Sequence, residues 1–204
     1  IPEDMPQPNS DGYIQAISQV LIDLARSLGG HTMALFTSYS SLRGVSQRVR
    51  EALQAHDIGV MAQSIDGSAP QLMTRFAENP NNLLLGASSF WEGVDVAGTS
   101  LSCVIIDKMP FAHPSDPILK AKIEHINKNG GKAFYDLQIP KAIIALKQGA
   151  GRLIRGEQDH GVLVICDRRI TSKGYGTTFL KSLPDMKITH EIEDAMTFLS
   201  EIKN

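Results

Sequence analysis

The chain has 204 residues, a length that favours one large domain over two small ones. Hydrophobic residues make up 42% and charged residues 21%, which excludes a disordered chain, a collagen-like chain and a coiled coil. The net charge of −2 gives no overall sign of a nucleic-acid or membrane partner, and no apolar run reaches the roughly 18 residues of a membrane span.

Residues 1–11 contain three prolines and no hydrophobic periodicity, so they are predicted to be a linker or arm, with one domain over residues 12–204. Because the chain begins with Ile1 and shows no signal peptide, we expect it to be a piece of a longer protein. In the first half of the domain, apolar periodicity predicts helices over 14–28, 42–55 and 70–77 and strands over 33–36, 58–62 and 83–87.

The second half continues the alternation of strands and helices. Continuous apolar runs predict buried strands over 101–107 and 161–167, and helices are expected over 118–126, 141–154 and 188–202. The chain is therefore predicted to be an α/β domain with a mainly parallel sheet and helices on both faces. Ligands of such sheets collect at the carboxyl ends of the strands, here the loops after Phe36, Ala87, Asp107 and Asp167.

A phosphate-binding loop of its own is missing from this sequence. Gly131-Lys132 is followed by Ala133 instead of Ser or Thr, and no Gly-x-Gly-x-x-Gly occurs. Glu92, Asp95 and Asp107 could hold magnesium, but without a phosphate loop that site would be incomplete. Cys103 and Cys166 lie in apolar strands, which excludes a four-cysteine metal site here and favours a reducing, cytoplasmic setting.

Two segments concentrate chemically active side chains. Residues 87–95 place hydroxyls, two aromatic rings and two carboxylates after a strand; the only tryptophan, Trp91, is either a packing anchor or a stacking residue. In 148–155, the spacing of Gln148, Arg152 and Arg155 puts three planar donors on one side of a predicted helix end, facing an anion or simply solvent. Residues 141–181 carry a local charge of +5, which fits a solvated face or a phosphate-binding surface.

These segments together resemble a known family. Residues 148–155 (Gln-x-x-Gly-Arg-x-x-Arg) are similar to motif VI of superfamily 2 helicases. Residues 89–95 (Ser-Phe-Trp-Glu-Gly-Val-Asp) are similar to motif V, and residues 35–39 (Leu-Phe-Thr-Ser-Tyr) to motif IV. The similarity is in particular to the DinG and XPD branch. Residues 109–117 and 161–169 add collinear similarities to this branch. The resemblance implies the second RecA-like motor domain of an ATP-dependent DNA helicase that moves 5′ to 3′, without the first domain that carries the phosphate loop.

The resemblance also implies residue roles. Arg155 matches the arginine finger, with Arg152 beside it and Gln148 orienting the finger or a water molecule. Glu92, Gly93 and Asp95 would line the nucleotide cleft on this side. Contacts to the backbone of single-stranded DNA, through hydroxyls and main-chain groups, are implied for Thr37, Ser38, Tyr39, Ser88, Ser89 and Phe90.

The implied partners are single-stranded DNA and the first RecA-like domain of the same polypeptide, with no membrane. ATP and Mg²⁺ would be held mainly by that first domain, and an iron–sulfur cluster would belong to the longer protein and not to these residues. Taken alone, this domain is expected to be inactive as an ATPase. Two alternatives stay open: a non-catalytic module that binds nucleic acid or a protein, and the regulatory helicase portion of a DinG-like exonuclease.

Overall fold

The structure, a computed structural model, describes residues 1–91, 101–154 and 159–202, apart from the side chains of Ser88 and Ile202. Its strands are β1 Thr32–Leu35, β2 Gly59–Ala62, β3 Asn82–Gly86, β4 Cys103–Ile106 and β5 Val162–Ile165. Its helices are α1 Tyr13–Leu28, α2 Tyr39–Gln54, α3 Ala69–Glu78, α4 Pro117–Lys128, α5 Ile139–Ala150, α6 Arg169–Ser172, α7 Gly176–Ser182 and α8 Ile192–Ile202. A 3₁₀ turn, Ser88–Phe90, follows β3, and a π-helical turn, Phe134–Gln138, precedes α5.

Within these described ranges the five strands form one parallel sheet in the order β2-β3-β1-β4-β5. Strand β1 lies at the centre, with Leu35 opposite Gly86 of β3 on one side and Ile106 of β4 on the other. Because every strand runs in the same direction, all carboxyl ends meet at one edge of the sheet, and the residues that follow them become neighbours.

Alternate residues of each strand face opposite layers of core, as the period of two in a strand requires. On one face, Ala34 and Ile105 pack with α1, α2 and α8, whereas Leu35 and Ile106 on the other face pack with α3, α5 and α7. Each strand must be apolar on both faces, which explains the continuous apolar runs in the sequence. The predicted α/β class, with helices on both faces of a parallel sheet, is confirmed.

Local contacts move some helix ends away from the predicted positions. Helix α2 begins at Tyr39, three residues earlier than expected, because the Ser38 hydroxyl caps it by accepting a hydrogen bond from Ser41 N at 3.3 Å. Helix α5 was expected to continue to Ile154 but ends at Ala150. There the chain turns, and Leu153 becomes buried against Gly161, where a side chain would lie 2.5 Å from Leu153 Cδ1.

The arm over residues 1–11 has no helix or strand, as expected from its prolines, but Pro2 and Met5 are buried against the domain. Cys103 and Cys166 are both fully buried in the sheet, which confirms that they are core residues. Among the described helices, none has the length and apolar character needed to cross a membrane.

Candidate functional site

The site lies at the carboxyl edge of the sheet, where polar residues directly follow the strands. Gln63 follows β2, Asp107 follows β4 and Asp167 comes two residues after β5, and all three side chains are buried. Buried polar groups need hydrogen-bond partners, so each of these side chains holds neighbouring loop backbone in a defined position. They make the floor of the site.

Asp107 holds the start of the segment after β1. Its Oδ1 accepts hydrogen bonds from Thr37 N at 3.0 Å and from Lys108 N at 2.7 Å, and the Thr37 hydroxyl lies 3.4 Å from Oδ2. From the opposite side, the Tyr13 hydroxyl of α1 donates to the Asp107 carbonyl oxygen. Thr37 is therefore fixed to the sheet, and Ser38 behind it is committed to capping α2.

Burial raises the pKa of Asp107 to about 7, although the Lys108 charge and the hydrogen bonds from Lys108 and Thr37 act in the opposite direction. The folded carboxyl thus holds its proton more tightly than the unfolded one, whose pKa is near 3.8. The folded state gains most from Asp107 at low pH, and this contribution declines as the pH rises from about 4 to about 7.

We expect Asp107→Asn to remove this pH dependence, because the amide does not titrate. Between pH 4 and pH 8 the free energy of unfolding of the wild type should fall relative to that of the variant, by about 4 kcal/mol at most, at about 1.4 kcal/mol per tenfold change in proton affinity. Urea unfolding at several pH values measures the difference. The exposed Asp185→Asn is the control, and a constant difference between wild type and Asp107→Asn would contradict this interpretation.

Asp167 and Arg169 form an ion pair that closes the sheet edge beside β5. Arg169 Nη2 lies 2.6 Å from Asp167 Oδ2, and the same oxygen accepts a hydrogen bond from Met109 N at 2.9 Å. The guanidinium also lies over the ring of Phe111, 5.7 Å from its centroid. Arg169 is therefore committed to structure, and this part of the basic stretch does not offer its charge to a ligand.

Trp91 connects residues from the three segments that carry the motif similarities. Its indole Nε1 donates to the Phe36 carbonyl oxygen at 3.0 Å, and its own carbonyl accepts a hydrogen bond from Arg152 Nη2 at 3.1 Å. The ring packs so closely on α5 that a side chain at Gly149 would lie 2.8 Å from Cζ3. Trp91 is 6% exposed, so the expectation of a packing anchor is confirmed.

A second cluster joins the ends of β2 and β3 to the start of α2. Gln63 Nε2 donates to the hydroxyls of Tyr39, at 3.0 Å, and Ser89, at 2.7 Å. Its Oε1 accepts a hydrogen bond from Ala87 N at 2.7 Å. Two of the predicted DNA-contacting hydroxyls are thus brought to one buried amide. Sequence reasoning missed Gln63, because a single glutamine after a short strand has no motif or spacing to mark it.

The other predicted site residues divide into three groups. The side chains of the first group are described. Phe90 is buried in the core, so only its backbone could contact a ligand. Gln148 is exposed on α5, and Arg152 is half-buried beside Trp91. Ser88 is described through its backbone alone. The remaining predicted residues lie outside the part of the chain that the structure describes: Glu92, Gly93, Asp95 and Arg155.

The acidic residues of the edge that the structure describes are not arranged as metal ligands. Asp107 and Asp167 both use their carboxylates to accept hydrogen bonds from the protein. Over residues 1–91, 101–154 and 159–202, no group of three or more His, Cys, Asp or Glu side chains is placed to hold a metal ion. Nucleotide binding by the described residues would therefore depend on the guanidinium and amide donors of Arg152 and Gln148.

Known proteins are similar to this chain in sequence and in fold. Residues 21–186 match the family described as the helicase C-terminal domain. The chain is 42% identical over 199 residues to the ATP-dependent DNA helicase YoaA of Haemophilus influenzae, covering 98% of this chain and 30% of that protein. It is 36% identical over 193 residues to the 3′-5′ exonuclease DinG of Bacillus subtilis, covering 93% of this chain and 21% of that protein.

A solved structure of XPD helicase has the same fold, with a TM-score of 0.65 at 22% identity over 88% of this chain and 32% of the XPD chain. The chain spans no more than about a third of the length of any of these proteins. The similarity therefore concerns one domain of larger molecules.

Proposed function

Because this chain belongs to the helicase C-terminal domain family, we propose that it is the second motor domain of an ATP-dependent DNA helicase of the DinG kind. In this proposal the carboxyl edge of the sheet carries part of the track for single-stranded DNA and also faces the nucleotide. The observation that carries the proposal is the position of Trp91, which contacts the proposed track at Phe36 and the proposed nucleotide segment at Arg152.

The proposed track consists of hydroxyls and backbone groups after β1 and β3. Tyr39 and Ser89 are exposed and share the amide of Gln63, and Asp107 fixes the position of Thr37 by accepting a hydrogen bond from its N–H. Hydroxyls and backbone amides bind phosphates without reading bases, which suits a domain that must step along any sequence. Ser38, whose hydroxyl caps α2, would contribute its backbone, and Ser88 and the backbone of Phe90 complete the proposed track.

The proposed nucleotide side consists of Gln148, Arg152 and Arg155, together with Glu92, Gly93 and Asp95, which would line the cleft on this side. Arg155 would act as the arginine finger, which stabilises the charge that develops on the phosphates in the transition state. ATP and Mg²⁺ would be held mainly by a first motor domain, because this sequence has no phosphate loop. The chain alone should therefore not hydrolyse ATP.

In the whole helicase, nucleotide binding would close the two motor domains and hydrolysis would let them separate, with net movement 5′ to 3′. The hydrogen bonds of Trp91 provide a physical connection between the two proposed sites, so a shift of Arg152 on closure would be felt at Phe36 and the adjoining track.

Salt dependence tests the proposed track. If about three phosphates are contacted, the affinity of the chain for oligodeoxythymidine should fall with a log–log slope near −2, at about 0.7 for each contact. Fluorescence anisotropy at several salt concentrations measures this slope. A flat response would contradict an electrostatic track on this domain and would favour a module that docks another protein.

A further inference from the structure

A groove lies outside the proposed track, where the start of α5 faces the segment that joins α6 to α7. Its volume is about 890 Å³, which is within the range of about 300 to 1,000 Å³ that is typical of ligand sites. The π-helical turn, α5 and the segment before α7 all contribute side chains to it, among them Phe134, Tyr135, Pro140, Ile144, Lys173 and Tyr175.

The groove presents aromatic and aliphatic surface on a rigid support. Tyr135 is 60% exposed and Ile144 is 58% exposed. Behind them, the rings of Phe134 and Phe111 stack with their centroids 5.7 Å apart and an angle of 24° between their planes. Tyr135 stands at 86° to Phe134, so the two rings do not cover each other face to face. The ring of Tyr135 is thus held at the surface and is open to a ligand.

The groove is close to the proposed track. Asp107, which accepts a hydrogen bond from Thr37 N at 3.0 Å, is followed four residues later by Phe111. Four residues of extended chain span at most about 14 Å. Phe111 in turn contacts Phe134 and Tyr175, at centroid distances of 5.7 and 5.9 Å. A single strand that leaves the proposed track at Thr37 therefore needs only a few nucleotides to reach this cluster.

The charges around the groove favour a polyanion. Lys173 lines the groove and is exposed, and Lys132 and Lys141 are exposed on the chain to either side of the π-helical turn. The acid of that turn, Asp136, uses one oxygen to accept a hydrogen bond from Lys132 N at 2.6 Å. Lysine is depleted at protein–protein interfaces, whereas basic residues beside exposed aromatic rings are typical of sites for single-stranded nucleic acid.

We propose that this groove is a stacking subsite for a base of single-stranded DNA, with the base on the ring of Tyr135 and a neighbouring phosphate at Lys173. The proposal rests on the proposed function and extends it, because the track itself contacts only the sugar–phosphate backbone. Every base has an aromatic face, so a stacking contact adds affinity without selecting a sequence.

Tyr135→Ala tests the stacking contact. We expect the affinity for oligodeoxythymidine, measured by fluorescence anisotropy, to fall about tenfold, which is the order of effect that one stacked base contributes. Tyr135→Phe keeps the ring and should bind within twofold of the wild type. Phe198→Ala, which removes a ring that is 39% exposed on α8, is the control and should also stay within twofold.

A second variant closes the groove without removing the ring. Gly174 lines the groove, and a side chain added there would meet no other atom within 4 Å, so Gly174→Leu should fold and occupy the space of the base. It should weaken binding about as much as Tyr135→Ala does. Thermal unfolding reports whether each variant is folded; if Tyr135→Ala is not, Gly174→Leu takes its place in the comparisons.

Lys173→Gln tests the phosphate contact. Loss of one contact should make the log–log salt slope for oligodeoxythymidine less steep by about 0.7. Lys187→Gln removes the same charge at an exposed position before α8 and should leave the slope unchanged. Equal slopes for the two variants would show that Lys173 does not contact a phosphate and would overturn that part of the proposal.

The decisive comparison uses a strand of the same length whose sugars carry no bases. The proposal predicts that Tyr135→Ala loses tenfold in affinity for oligodeoxythymidine and less than twofold for the strand without bases. An equal loss for both strands would show that Tyr135 acts only through the structure and would overturn the proposal.

The same measurements separate this proposal from the proposed function. If Tyr135→Ala bound oligodeoxythymidine like the wild type, with a salt slope near −2, the stacking subsite would be overturned while the track remained. The groove would then be left to a protein partner. A wild type that binds neither strand would contradict the proposed function and this proposal with it.

Discussion

Arg155→Ala in the whole helicase is expected to lower DNA-stimulated ATP hydrolysis by about 10³- to 10⁵-fold and to leave the affinity for single-stranded DNA nearly unchanged. The loss is large because the guanidinium interacts with charge that develops only in the transition state, so the binding of the ground state does not report it. Arg155→Lys should recover little, because an ammonium group does not reproduce the planar fork of donors.

Arg168→Ala is the matched control for this variant. Arg168 belongs to the same basic stretch, is exposed beside α6 and has no proposed contact with nucleotide. It changes the net charge equally, so it should leave hydrolysis within about twofold of the wild type. Hydrolysis by Arg155→Ala at the rate of the Arg168→Ala control would contradict the finger role and leave Arg155 as part of a solvated face.

The second large effect is expected at Trp91. Trp91→Ala should lower the free energy of unfolding by about 3 to 5 kcal/mol, since it removes a buried indole and leaves a cavity against Gly149. The hydrogen bond to the Phe36 carbonyl is lost as well. Because Trp91 is the only tryptophan, circular dichroism in urea is the appropriate measurement.

Two further variants separate the contributions at Trp91. Trp91→Phe keeps most of the packing but loses the indole donor, so it should cost about 1 to 2 kcal/mol. Tyr135→Ala removes an aromatic ring that is 60% exposed and should cost less than about 1 kcal/mol. A loss for Trp91→Ala as small as that for Tyr135→Ala would show that Trp91 does not hold the three segments together.

Much of the fold could be predicted because its strands are buried on both faces. The apolar runs at 83–87 and 101–107 are too short for a typical helix and too continuous for a half-exposed strand, and both became central or near-central strands, β3 and β4. Helices α6 and α7 and the π-helical turn were missed, since four to seven residues are too few to show a helical period.

The ends of helices depended on tertiary contacts that no local pattern shows. The predicted helix over 141–154 ends at Ala150, where the turn lets Leu153 pack beside Gly161 and aims Arg152 at the Trp91 carbonyl. The sequence spacing predicted that Gln148 and Arg152 share one helix face. Because α5 ends before Arg152, they do not. Likewise the last helix, expected from Ile188, begins at Ile192.

The site was predicted from sequence motifs, which do not show the contacts between its side chains. Motif similarity singled out Tyr39 and Ser89, but no such signal marks Gln63, and Asp107 was marked only by its position after a predicted strand. Gln63 and Asp107 become important only because parallel strands bring their carboxyl ends to one edge, which depends on the strand order. Residue roles that depend on a partner domain, above all that of Arg155, stay predictions.

A nuclear magnetic resonance titration of the nitrogen-15-labelled chain with oligodeoxythymidine would show most directly whether the carboxyl edge of the sheet binds single-stranded DNA. The amide signals of Thr37, Tyr39 and Ser89 should shift most, while those of α4 should stay in place. Shifts confined to α4 and the π-helical turn Phe134–Gln138, or no shifts at low salt, would contradict a DNA track at the carboxyl edge of β1 and β3.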